Sequence, residues 1–325
     1  MAFDEAGVVG SIVGLAVGDA LGFPAEFRTR RQILSEIGPD GITGFLALRD
    51  SRFTRPYILG PFHPPGTFTD DTQMTIAVAE ALIEAGRADV DVLMREMGRR
   101  FVAWSRSPQN NRAPGGTCME GCENLAAGVP WRESGVAASK GCGSVMRVAP
   151  IGLFYDDLDR VAEVARASSL PTHGHPAALE AAAAGAIMVA LALNGVEPAT
   201  IYQEVDARCR SSVEFTTAWR KVAQLLDQPP EVALTKDGLG EGWVGDEAVA
   251  SAMYCFWRSP DDYRRAVLMA VNTDGDSDSL ATITGSVVGA RLGIDAIPAE
   301  WRDNVEDSQA LHELGRRLWA RRGSR

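Results

Sequence analysis

Cysteine, positive charge and regular alternation are what this 325-residue chain has least of. Its five cysteines, Cys118, Cys122, Cys142, Cys209 and Cys255, are an odd number in a long chain and a poor fit to a disulfide framework. Cys118-x3-Cys122 lacks the second ligand pair of a zinc site, which leaves one face of a helix in a reducing cytosol. Lysine and arginine total 32 against 43 aspartates and glutamates, a net charge of −11. That balance argues against a sequence-independent nucleic-acid binder, although a loop or a metal can still hold the phosphate of a small ligand. The opening Met-Ala-Phe-Asp-Glu has no basic n-region, so no signal peptide is expected. The apolar run Gly7–Val17 is too short to span a bilayer. A soluble, cytoplasmic protein without a membrane partner is the expectation. No run alternates with period two between hairpin turns, and βαβ signals are absent.

What is present is apolar helix. Hydrophobic residues make up 46% of the chain and charged residues 23%, enough for a sizeable core and against wholesale disorder. Residues 4–21 read as a helix with glycines at 10, 14 and 18 and another at 22, a smooth face for close packing. Residues 28–68, rich in proline and glycine, read as a long irregular connection of functional character. Helices are predicted near 71–85, 89–105, 117–127, 145–150, 157–169 and 175–194, the last almost all alanine and aliphatic and so buried on most sides. Others follow near 198–211, 213–227, 246–257, 260–271, 279–292 and 307–321, with 229–245 as an exposed loop. The fold class is all-α, an orthogonal bundle of a dozen or more helices, in a single domain over 1–325.

Two acidic turns could do chemistry. Thr69-Asp70-Asp71 opens one helix and Asp276-Ser277-Asp278-Ser279 opens another. Capping needs one such residue per helix, not a cluster. An EF-hand starting at Asp274 fails, since Ser279 stands where the loop needs glycine and Gly285 where it needs glutamate. Each turn instead offers two carboxylates and a hydroxyl. Facing each other, the two sets make an all-oxygen site for two hard cations. Glu26, in a proline-containing loop after Gly18-Asp19-Ala20-Leu21-Gly22, is a carboxylate that could act on water or a leaving group, or simply a solvated loop residue. The Gly141-Cys142-Gly143-Ser144 loop offers backbone N–H groups to a phosphate, and His173 stands at a helix start. Cys142 has no sequence partner that would make its thiol a nucleophile.

Taken in order, these pieces resemble the ADP-ribosylglycohydrolase family over most of the chain. The pieces are Gly18-Asp19-Ala20-x-Gly22, Phe68-Thr69-Asp70-Asp71-Thr72, Gly143-Ser144-x-Met146-Arg147, Thr172-His173-x-x-Pro176 and Gly275-Asp276-Ser277-Asp278-Ser279. The resemblance implies a central cleft with two Mg²⁺ (or Mn²⁺) ions held by Thr69, Asp70, Asp71, Asp276, Asp278 and Ser279. It implies phosphate contact at Gly141–Ser144, His173 beside an ADP-ribose, and Glu26, Asp71 and Asp276 as the acid–base candidates. The implied reaction is hydrolysis of the bond joining ADP-ribose to a modified protein or small conjugate. Arginine-linked ADP-ribose is the leading substrate and an O-linked, serine-type conjugate the runner-up. A non-catalytic ADP-ribose binder or structural protein stays as the reading from a different class. A monomer is expected. Asp274, where relatives more usually carry glycine, has no role at this stage.

Overall fold

A computed structural model describes residues 5–46 and 63–323. Among these the chain forms sixteen α-helices and two 3-10 turns, with isolated β-bridges in place of a sheet. In chain order the helices are α1 (Glu5–Gly22), α2 (Arg30–Ile37), α3 (Asp70–Ala85), α4 (Val90–Ser105), α5 (Gly116–Ala126), α6 (Ala149–Phe154), α7 (Leu158–Ser169) and α8 (Pro176–Leu193). Then come α9 (Pro198–Arg208), α10 (Val213–Leu225), α11 (Pro230–Ala233), α12 (Gly245–Arg258), α13 (Tyr263–Val271), α14 (Ser277–Leu292), α15 (Ala299–Arg302) and α16 (Ser308–Arg322). The 3-10 turns are Cys142–Arg147 and Ile294–Ala296. One continuous hydrophobic cluster runs through the bundle.

The glycine face of α1 organises the centre. It lies directly on α14, and α14 answers with Gly285 and Gly289 against the carbonyls of Gly14 and Gly10. At Gly22 an added Cβ would stand 2.6 Å from both the Asp278 nitrogen and the Ser277 oxygen, so backbone touches backbone just where the second acidic turn begins. The Tyr263 hydroxyl from α13 donates to the Gly14 carbonyl at 2.6 Å and closes the seam. α1 and α8 each run 18 residues and are apolar enough to cross a membrane by length and composition, so α1 is longer than the run Gly7–Val17 suggests. Both are largely buried inside the fold, as helices apolar on every face must be.

Two expectations fail here. The 28–68 stretch is not irregular throughout, because α2 forms within it, started by a capping box between Thr29 and Gln32. Its proline-rich part at 47–62 lies outside the described residues. The 229–245 segment is not a plain exposed loop: Ala233, Leu234 and Leu239 are buried, and the segment carries Trp243 to the cleft.

Candidate active site

The two acidic turns meet at one cavity of about 640 Å³. Asp70 and Asp71 at the start of α3 line it, as do Asp276, Asp278 and Ser279 at the start of α14. Gly141, Cys142, Gly143 and His173 form a facing wall, and Glu26 stands among the lining residues. Of the predicted set, Thr69 and Ser144 are not in the lining. Thr69 is buried as the N-cap of α3, where its hydroxyl accepts from the Asp71 N–H at 3.3 Å. Ser144 is buried and outside the lining, and its hydroxyl has no hydrogen-bond partner.

Each turn is held differently. The α3 turn hangs from Asp19 of α1, whose carboxylate accepts from the Thr69 N–H at 2.9 Å, the Thr72 N–H at 3.0 Å and the Thr72 hydroxyl at 2.6 Å. The α14 turn caps itself, Asp276 Oδ1 accepting from the Ser279 N–H at 3.3 Å. Its backbone is tied outward as well, the Asp276 N–H donating to the Glu241 carbonyl at 2.9 Å. A short antiparallel bridge joins Arg28 and Gly275: Phe27 N–H donates to Gly275 O at 3.0 Å, and Gly275 N–H to Arg28 O at 2.8 Å. The Glu26 loop is thus stitched to the second acidic turn, and Glu26 is buried. Asp274, unexplained by its sequence neighbours, accepts from the Arg30 N–H at 2.8 Å and so anchors the start of α2.

The electrostatics of the acid wall are one-sided. Burial, then repulsion from Asp278, raises Asp19 to about 7 and Asp70 to about 8. Asp71 and Asp276 are pushed well above the usual range, again by burial first and by neighbouring carboxylates second. Among the described residues none of Asp19, Asp70, Asp71 or Asp276 forms an ion pair, and the buried Asp71 Oδ2 has no hydrogen-bond partner. An all-oxygen donor set whose carboxyls burial and mutual repulsion hold back from ionising, with an orphaned carboxylate oxygen, fits hard divalent cations. Among the described residues no trio of His, Cys, Asp or Glu closes around a single point. The candidate donors are shared between two turns and include two hydroxyls, and uncompensated carboxylates repel one another. Cys142 donates its thiol hydrogen to Asp276 Oδ2 at 2.9 Å. Burial and the charges of Asp276 and Asp71 push that thiol up and keep it protonated, which excludes a resting thiolate nucleophile. All five cysteines are unpaired.

The opposite wall is uncharged. Gly143 is required there, since an added Cβ would come within 2.7 Å of Cys118 Sγ and 2.8 Å of His173 Cε1. Not every N–H of the loop is open to a ligand, because that of Cys142 donates to the Trp243 carbonyl at 3.2 Å. Burial and then Arg147 lower His173 to about 3, so the ring is neutral. Sequence reasoning gave Asp19 no role beyond its place in the Gly18–Gly22 piece, and it missed residues 113–117 and the stacked pair Phe27 and Trp243 at 5.0 Å. Phe27 holds a left-handed φ of 66°, an uncommon conformation for an aromatic residue and one that local sequence does not announce.

A helical bundle whose cleft sets buried carboxylates opposite a neutral, glycine-built wall has the acidic side chains that hydrolysis of a glycosyl bond uses. The family model for ADP-ribosylglycohydrolase matches residues 3–325, and the chain belongs to that family. It is an enzyme, a glycohydrolase of ADP-ribose conjugates. The chain is 31% identical to an uncharacterized protein of Archaeoglobus fulgidus, covering 95% of this chain and 94% of that one. It is 27% identical to the ADP-ribosylarginine hydrolase Tri1 of Serratia proteamaculans, covering 95% of this chain and 78% of that one. Among solved structures it resembles an ADP-ribosylglycohydrolase-related protein complex, with a TM-score of 0.77 and 25% identity over 97% of this chain and 98% of that one.

Proposed function

We propose that the enzyme removes ADP-ribose from arginine side chains of modified proteins, using two Mg²⁺ (or Mn²⁺) ions. The observation that carries the arginine reading is the edge of the cavity where Glu26 adjoins the stacked rings of Phe27 and Trp243. A carboxylate beside a flat aromatic face suits a planar guanidinium, which pairs with the one and stacks on the other. The likeness to an ADP-ribosylarginine hydrolase over 95% of the chain supports the same substrate.

Thr69, Asp70, Asp71, Asp276, Asp278 and Ser279 would hold the ions. When bound, the ions would supply positive charge to the buried carboxylates and Lewis acidity to the bound sugar. The Gly141–Gly143 wall and His173 take the phosphate-bearing part of the substrate and fix its orientation. A water then adds to C1″ as the bond to the guanidine nitrogen breaks through an oxocarbenium-like state. Asp71 or Asp276 accepts the proton that the water loses, while the Glu26 carboxylate holds the guanidinium in place; the guanidine nitrogen leaves with the bonding electron pair and takes up a proton from solvent. The products are ADP-ribose and unmodified arginine.

The test is a hydrolysis panel of arginine-, serine- and nucleobase-linked ADP-ribose with Mg²⁺, with Mn²⁺ and with chelator. Release from the arginine conjugate, lost on chelation, is expected. Asp71→Asn and Asp276→Asn should each lower that turnover by roughly a thousandfold or more while the protein stays folded. Turnover of the serine conjugate with the arginine conjugate left intact would replace the acceptor. Full activity of both folded variants would remove the carboxylate roles.

A further inference from the structure

Behind the neutral wall lies a buried arginine that the reaction as described does not use. Arg147, fully buried, forms no ion pair among the described residues. Its Nη1 rests on sulfur, 3.5 Å from Met74 and 3.8 Å from Cys118, and its guanidinium lies 4.5 Å from the centre of the Phe101 ring. Its Nη2 donates to the Ser168 carbonyl at 3.0 Å and to the Thr172 hydroxyl at 2.8 Å. The Thr172 oxygen lies in turn 2.8 Å from His173 Nδ1.

The direction of that last bond follows from counting hydrogens. Thr172 Oγ has one to give. One alternative acceptor is the Ser169 carbonyl, 3.4 Å away. That carbonyl already accepts from the N–H groups of Thr172 at 3.0 Å and His173 at 2.8 Å, so both its lone pairs are taken. The guanidinium bound to Thr172 Oγ makes the hydroxyl a stronger donor and a weaker acceptor. The hydrogen therefore goes to His173 Nδ1, and the ring proton must sit on Nε2. That edge faces the loop: a Cβ built on Gly141 would lie 3.1 Å from Nε2, and both Gly141 and His173 line the cavity.

We propose that Arg147, acting through the Thr172 hydroxyl, is a positioning residue that locks His173 in the Nε2–H tautomer. The ring is thereby a fixed, neutral hydrogen-bond donor to an acceptor oxygen of the ligand above the Gly141–Gly143 loop. The identity of that oxygen, a phosphate or hydroxyl of ADP-ribose, rests on the function proposed above; the tautomer does not. A neutral donor suits a wall already next to a buried cation, where a second positive charge would be repelled.

The decisive measurement is the nitrogen–proton correlation spectrum of protein labelled at histidine, with the His173 signals assigned by their loss in His173→Gln. The pattern of a neutral ring protonated on Nε2 is expected in the wild type. Thr172→Val should release it toward the Nδ1–H form, and Thr172→Ser should restore it. ADP-ribose should bind about tenfold more weakly to Thr172→Val, with Thr172→Ser near the wild type. An Nδ1–H ring in the wild type, or a tautomer unmoved in Thr172→Val, overturns the proposal. Should Thr172→Val not fold, the wild-type spectrum still decides. A wild-type protein with the Nε2–H ring and no affinity for ADP-ribose would instead sink the ligand assignment and leave the relay standing.

Discussion

The two walls of the cleft bury ionisable groups in opposite ways. On the acid wall, carboxylates of α3 and α14 are packed together with no ion pair among the described residues for Asp70, Asp71 or Asp276, and an Asp71 oxygen is left without a partner. On the glycine wall, His173 is held neutral and its Nδ1 is satisfied by Thr172. The glycine wall holds its ring neutral, although Ser144 Oγ and Arg147 Nε beside it are buried without partners. The acid wall carries carboxylates that the described residues leave uncompensated, its α14 turn seated on the glycine seam of α1 and its α3 turn held by Asp19.

The largest effect that should sharpen this contrast comes from Asp19. Asp19→Ala leaves the N–H groups of Thr69 and Thr72 and the Thr72 hydroxyl without their buried acceptor, and should cost about 3 kcal/mol in denaturant unfolding. A loss well under 1 kcal/mol would mean that the α3 turn holds itself as the α14 turn does. Next is cation binding. Mg²⁺ or Mn²⁺ at a hundred times its dissociation constant should raise stability by about 2.7 kcal/mol, reversed by chelator. A calorimetric midpoint unmoved by either ion would mean that the acid wall takes up no cation, and the contrast would fail.

The last effect appears only as a slope with pH and tests the other wall. His173 sits near 3 in the fold, below the ordinary value of 6.5, because burial and Arg147 disfavour its charge. The unfolded chain therefore binds a proton that the folded one refuses. The contribution is fully present above about pH 6.5 and is lost as pH falls toward 3, at up to ~1.4 kcal/mol per pH unit. His173→Gln should show a shallower fall in stability between pH 6.5 and 4 than the wild type. Parallel curves would mean that His173 charges freely in the folded state.

Much of this was legible in the sequence, and the gaps share a cause. Helix periods and caps are local, so α3, α8 and α14 could be placed from their own residues. The capping box of Thr29 and Gln32 was also local, yet the prolines around it masked α2. Asp274 was conspicuous but its partner, Arg30, is 244 residues away. Asp19 reaches 50 residues to cap a helix it does not belong to. Trp243 was hidden in a stretch whose prolines and glycines read as surface. Composition reported which residues carry charge. It could not report which of them the fold would leave uncompensated.

The bridge between Arg28 and Gly275 has a dynamic consequence. Glu26 cannot swing away from the cleft without parting the Phe27 and Gly275 amides from their carbonyl partners or dragging the Asp276 turn along. Movement of the Glu26 loop and integrity of the acid wall are therefore one equilibrium. Deuterium uptake at those two amides gives its opening free energy directly.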